Sequence, residues 1–95
     1  MWSASLAWKI EFDRAALKDL SGLDKPVARR ITRFLRERVA ALDDPRRVGQ
    51  ALTGPTLGEF WKYRVGDYRI ICTIQDSILT ILVVRVGNRR EVYRK

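Results

Sequence analysis

Between Leu6 and Phe12 apolar and polar residues alternate, and from Asp13 onward the spacing changes. Period two sends successive side chains to opposite faces of a strand, whereas recurrence at three and four positions marks one face of a helix. Asp13 stands where a cap is expected, ahead of a short helix from Arg14 to about Leu20 that Ser21 and Gly22 break. A second helix is expected after Asp24, with Pro26 in its first turn, because Val27, Ile31, Phe34, Leu35, Val39 and Leu42 recur at helical spacing. Asp43, Asp44 and Pro45 end it, and residues 46–58, punctuated by Gly49, Gly54, Pro55 and Gly58, read as a loop. Three strands follow at about 59–65, 68–75 and 78–86, joined by tight turns at Gly66-Asp67 and Asp76-Ser77.

The element order is therefore β-α-α-β-β-β, an α+β fold. Two amphipathic helices ahead of an antiparallel meander bury their apolar stripes together on one face of a four-stranded sheet that also takes the N-terminal strand. The opposite sheet face is left to bind something. No repeat, low-complexity tract or Pro/Gly linker divides the chain, and 95 residues with 46% apolar content suit one domain, residues 1–95.

Charge sharpens the picture. The chain carries 19 Lys and Arg against 11 Asp and Glu, a net +8, so its field attracts polyanions or an acidic protein. The basic excess per residue is greater in residues 61–95 than in 1–60. The second helix bears Arg29, Arg30, Arg33, Arg36 and Arg38 away from its apolar stripe, a face that water alone could explain. A single cysteine, Cys72, excludes an internal disulfide and reads as a small buried hydrophobe. With no histidine anywhere, a Cys/His zinc site has no ligands to draw on, and neither a metal nor a cofactor is expected. The segment MWSASLAWKIEF lacks the core of a signal peptide and no run has the apolar length of a membrane span, so a cytoplasmic protein without membrane contact is expected. TGPTLGE lacks the spacing of a phosphate-binding loop and reads as a connector, and Trp2 and Trp8 read as packing residues beside the first strand.

The stretch FWKYRVGDYRIIC, residues 60–72, places three cations on a strand pair that otherwise looks like core. If Gly66-Asp67 is a two-residue turn, Val65 opposes Tyr68, Arg64 opposes Arg69, Tyr63 opposes Ile70 and Lys62 opposes Ile71, and opposed side chains share a face. Lys62, Arg64 and Arg69 then project together, while Trp61, Tyr63, Ile70 and Cys72 turn to the helix-packed core. Two arginines directly across a ladder repel by a few tenths of a kcal/mol up to about 1. An anion held between them removes that repulsion. The last strand returns beside the second, delivering GNRREVYRK to the same end of the sheet, where Arg89 and Tyr93 can join the cluster.

The segment GEFWKYRVGDYRIICTIQDSILTILVVRVGNRREVY resembles the C-terminal half of RelE-type toxins of bacterial toxin–antitoxin systems, and the element order resembles their fold over nearly the whole chain. The basic residues around YRVGDYRI, followed by VGNRREVY, resemble the pattern of the RelE/ParE superfamily. The RelE branch implies a ribosome-dependent endoribonuclease cutting mRNA in the A site; the ParE branch implies a non-enzymatic poison of DNA gyrase. The resemblance assigns Lys62 and Arg64 to the family's basic pair, Arg69 to its phosphate-binding arginine, Arg89 to its second essential arginine and Tyr93 to its C-terminal tyrosine. Lys62, Arg64, Arg69, Arg89 and Arg90 would contact RNA. A RelB-like antitoxin, in a hetero-oligomer with the toxin, and the ribosome with its mRNA are the partners it implies. A nucleic-acid-binding module without toxicity is a third reading.

The chemistry also fits the residues taken without the resemblance. RNA is cleaved when its own 2′-hydroxyl attacks the adjacent phosphorus, provided the proton is taken, the added negative charge is stabilised and the leaving 5′-oxygen is protonated. Arg69, permanently charged and able to bind bidentately, suits the phosphoryl oxygens, with Arg64 beside it. The expected base is Tyr93 or Lys62, each aided by surrounding cations. Arg89 would neutralise or protonate the leaving oxygen.

Overall fold

Helix-side burial organises the molecule, and a computed structural model describes residues 8–52 and 60–88. Strand β1, Lys9–Phe12, leads into α1, Arg14–Ser21, and α2, Lys25–Phe34. Strands β2, Gln50–Ala51, β3, Trp61–Val65, β4, Tyr68–Gln75, and β5, Thr80–Asn88, complete a five-stranded sheet in the order β1-β5-β4-β3-β2. β1 lies parallel to β5, and the other pairs are antiparallel.

The expected α+β arrangement is present, with one strand more than the pattern predicted. β2 is only two residues long and lies inside the glycine-punctuated stretch read as loop. Two residues cannot show alternation, and they are held by pairing Gln50 with Lys62 and Ala51 with Trp61. The second helix also stops earlier than Leu42. After Phe34 its ladder widens into a π turn over Leu35–Val39, closed by the Ala40 N–H donating to the Leu35 carbonyl at 2.8 Å. Leu35 and Val39 are both buried, so the wider turn keeps the apolar face on the sheet. Neither Asp13 nor Asp24 caps with its side chain, although both precede helices; the capping carboxylate is that of Asp44, which accepts from the Arg46 N–H.

Ala16 of α1 and Ile31, Leu35 and Val39 meet Tyr63, Ile70, Cys72, Ile81, Val83 and Val86 in one core. Trp61 packs against it half-buried. Val83 and Val86 are three apart yet both buried, which simple alternation forbids. A bulge resolves this: Cys72 pairs with Val83 while Ile71 pairs with Arg85, leaving Val84 as the extra residue. The β4–β5 connection is also longer than the Asp76-Ser77 turn expected, because Gln75 pairs with Thr80. A 3-10 turn over Asp76–Ile78 and a left-handed Leu79 (φ 47°) fill it. Beyond the end of β1 the exposed edge of β5 is covered by α1: the Asp19 carboxylate accepts from the Val86 N–H and from Arg85 Nε, both at 2.9 Å.

Three aromatic donors strap the segment before β2 onto the sheet. Trp8 Nε1 donates to the Asp43 carbonyl (3.2 Å), the Tyr63 hydroxyl to Pro45 (2.7 Å) and Trp61 Nε1 to Val48 (2.8 Å). Arg46 adds a bidentate pair with Asp76, at 3.0 and 2.7 Å. Burial raises the Tyr63 phenol well above its ordinary range, so this residue stays a neutral donor.

Tyr63→Phe leaves the buried Pro45 carbonyl without its donor and is expected to cost about 1–3 kcal/mol at neutral pH. Because the folded-state pKa is raised, wild type loses stability as pH climbs past the ordinary phenol value of about 10, whereas the variant has no such proton to keep. The gap between them in urea unfolding should therefore narrow above that pH. A constant gap would remove Tyr63 as the alkaline-sensitive group.

Candidate functional site

The observed register is the one expected of a two-residue turn. Val65 pairs with Tyr68, Arg64 with Arg69, Tyr63 with Ile70, Lys62 with Ile71 and Trp61 with Cys72. Gly66, at φ +60°, supplies the left-handed conformation the turn requires. Tyr63, Ile70 and Cys72 are buried on the helix side. Lys62, Arg64 and Arg69 accordingly share the opposite face, in cross-strand rows that run Gln50, Lys62, Ile71, Arg85 and Arg64, Arg69, Gly87.

These residues border a cleft of about 370 Å³ at the β3 side of the sheet, walled by Phe34, Val48, Gly49, Gln50, Lys62, Tyr63, Arg64 and Arg69. Arg64 is exposed, whereas Lys62 and Arg69 are half-buried, and Arg69 Nε is shielded from solvent. The face is not wholly polar: Ile71, between Lys62 and Arg85, is buried outside the main core, as is Leu52. An arginine held in part away from water, as Arg69 is, acts on an anion through a lower effective dielectric than a freely solvated one does.

Gly49 makes the cleft wall possible. Its φ is +81°, and a Cβ there would strike the Lys62 carbonyl and lie 2.7 Å from Trp61 Nε1 and 2.8 Å from Tyr63 Cδ1. The close approach of backbone to backbone lets Gln50 pair with Lys62 and brings its side chain beside the cations. Gln50, Val48 and Phe34 were not among the residues singled out from the sequence. The one signal for them was the glycine at 49, read as loop punctuation.

Arg69 pairs with Gly87 and Tyr68 with Asn88, so β5 does arrive at the Arg69 end of the sheet as expected. Arg89, Arg90 and Tyr93 lie outside the described residues. The five arginines of the second helix do not all line one groove. Arg30, Arg33 and Arg38 line a separate groove of about 300 Å³ against Arg64 and Gly66, and Arg29 and Arg36 lie outside it. Cys72 is buried and its thiol is pushed up to about 12 by burial, so it is a core residue.

A model of the family described as "ParE toxin of type II toxin-antitoxin system, parDE" matches residues 10–93. The chain belongs to this toxin family, within the RelE/ParE superfamily. Toxin RelG of Mycobacterium tuberculosis is 28% identical over 90 residues, spanning 95% of this chain and all of that protein. A chain of the toxin–antitoxin complex RelBE2 from Mycobacterium tuberculosis superposes with a TM-score of 0.79 at 26% identity, covering 90% of this chain and 95% of that one. The archaeal RelE–RelB complex of Pyrococcus horikoshii OT3 matches with a TM-score of 0.64 at 25% identity, covering 90% and 98%. This member of a family named for ParE is a type II toxin, and the relatives described here carry RelE-type names.

Two substitutions test the geometry. Gly49→Ala should destabilise by about 2 kcal/mol or more, from left-handed strain added to the clash with β3, measured by urea unfolding. A variant as stable as wild type would contradict the close approach. Arg64→Gln removes a like-charge cross-strand neighbour and is expected to raise stability by a few tenths of a kcal/mol to about 1 at low salt, the gain fading as salt is added.

Proposed function

We infer that this toxin is a metal-independent endoribonuclease that cuts mRNA in the ribosomal A site and so stops translation in the cytoplasm. The observation that carries the reading is the convergence of Lys62, Arg64 and Arg69 on one cleft of nucleotide size. Arg69, on a central strand and half-buried, clamps the non-bridging phosphoryl oxygens, and Arg64 across the ladder shares the charge that develops on phosphorus. The 2′-oxygen attacks phosphorus as Tyr93 or Lys62 takes its proton. The bond from phosphorus to the 5′-oxygen breaks, and Arg89 neutralises or protonates that oxygen. The products are a 2′,3′-cyclic phosphate and a 5′-hydroxyl. Arg90 adds a phosphate contact. The cleft supplies charge and little to align the attacking oxygen, a service that the ribosome provides and that is worth several kcal/mol.

The two structural relatives described above come from toxin–antitoxin complexes, which supports a RelB-like antitoxin as partner in a hetero-oligomer. An acidic, largely disordered segment that folds on contact would neutralise the cationic face. It inhibits by covering Arg69 and Arg89 or by displacing the segment that carries Tyr93.

A second reading is favoured by the family match itself, which carries the ParE name: a non-enzymatic gyrase inhibitor in which the same cations bind and do not catalyse. Induction in bacteria with 5′-end mapping on a reporter mRNA separates the two. Translation-dependent cuts are expected, and Arg69→Ala should lower cleavage by about two orders of magnitude or more, the size of one missing transition-state donor, while its melting temperature stays close to wild type. DNA damage without cuts would select the gyrase reading, and cleavage within a few-fold of wild type in Arg69→Ala would remove that residue as the clamp.

A further inference from the structure

The groove between α2 and the β3–β4 turn adjoins the cleft just described. It measures about 300 Å³ and is lined by Arg30, Arg33, Arg38 and Arg64, with Glu37 as the lone carboxylate. Phe34 and Arg64 border both spaces, so the two are neighbouring compartments on either side of the Arg64 side chain. The Arg30 guanidinium reaches over the turn, its atoms lying 3.6 to 3.9 Å from where a Cβ on Gly66 would stand. Among the described residues, none of these four arginines pairs with a carboxylate. Four cations around one anion repel one another, and the arrangement is relieved by a polyanion laid along it.

We propose that this groove is the second compartment of an RNA track, in which Arg30 and Arg33 hold backbone phosphates of the nucleotides flanking those in the Arg69 cleft; this rests on the RNA-cleaving reading above. Arg30 and Arg33 are one helical turn apart on the same side, about 5–6 Å between their Cβ atoms, a separation comparable with the step between neighbouring phosphates of a single strand. Guanidinium groups, planar and bidentate, suit phosphate oxygens better than ammonium groups do. The apolar lining does not favour a protein segment. Phe34 is engaged edge-on with Tyr63 at 6.1 Å between ring centroids, and Val65 is buried in the core, so neither opens a pocket for an anchor side chain. Charge along a groove without side-chain pockets is what a nucleic-acid backbone requires.

The test compares wild type with Arg30→Ala/Arg33→Ala and with Arg14→Ala/Lys25→Ala, which removes the same charge from exposed positions elsewhere. A short fluorescent single-stranded RNA is titrated with each purified toxin across a range of salt, and cleavage of mRNA on programmed ribosomes is measured alongside. The groove variant should bind the RNA about tenfold more weakly than the control variant. Its log–log salt slope should be shallower by about 0.7 for each phosphate that is no longer neutralised. On ribosomes the loss should fall on KM more than on kcat. RNA affinity and salt slope matching those of the control variant would overturn the proposal. So would unchanged RNA binding together with failure to capture the co-expressed antitoxin, which would make the groove a protein surface. If wild type cuts no mRNA on ribosomes but the RNA affinity still falls in the groove variant, the cleavage reading fails and the groove stands as an RNA-binding surface.

Discussion

Arg64 is held directly across from Arg69 because the residues on either side of each arginine must face the helices. Tyr63 and Ile70 are each buried, and full burial of such side chains contributes about 1.5–3 kcal/mol apiece. The repulsion between two opposed arginines is worth at most about 1 kcal/mol. A slip of one residue would relieve the smaller term by sending core residues to water and arginines into the core. The core therefore fixes where the charges go, and the Gly66-Asp67 turn keeps the pairing in phase. Charge density on the outer face is a consequence of packing on the inner one.

The same inner face also organises the cleft's outer wall. Trp8, Trp61 and Tyr63 belong to the core or pack against it, yet each sends a polar atom to a backbone carbonyl between Asp43 and Val48. A buried aromatic with one hydrogen-bonding tip does both jobs without exposing an unpaired donor. The segment so held delivers Gly49 against β3, and only a residue without Cβ fits there. Gln50 then enters the sheet beside Lys62. The wall of the site is thus built from loop backbone, but its position is inherited from strands and core.

How much of this is legible in the sequence depends on the length of the signal. The β3–β4 register is visible because two glycine-turn residues sit between strands with clear alternation, and it places Lys62, Arg64 and Arg69 together from spacing alone. β2 is invisible because its two residues have no period. The π turn at Leu35–Val39 and the extra residue Val84 both change phase inside an element, so spacing rules that assume a constant period misplace the helix end and the faces of β5. Arg30 and Arg33 appear in the sequence only as members of a basic face; that they meet Arg64 follows from how α2 lies against the hairpin, a tertiary fact with no local trace. The carboxylates of Asp13 and Asp24 satisfy the cap pattern without making the bond, since position alone does not set the side-chain torsion.

Similarity at 25–28% identity leaves the choice between an inhibitor and a ribonuclease to the side chains, because the one chain matches both a ParE-named family and RelE-type relatives. An inhibitor needs complementary charge at its surface, where mobile and fully solvated cations serve. A phosphoryl clamp needs donors whose positions are set before substrate arrives, in surroundings where water does not screen them. Lys62 and Arg69 meet the second requirement: both are half-buried, both stand on strands paired on each side, and the Arg69 Nε is shielded from solvent. Arg64, exposed and opposite, supplies charge at the mouth. Two such environments within one cleft support the ribonuclease proposal, in which Lys62 and Arg69 would act as donors set in place before substrate arrives.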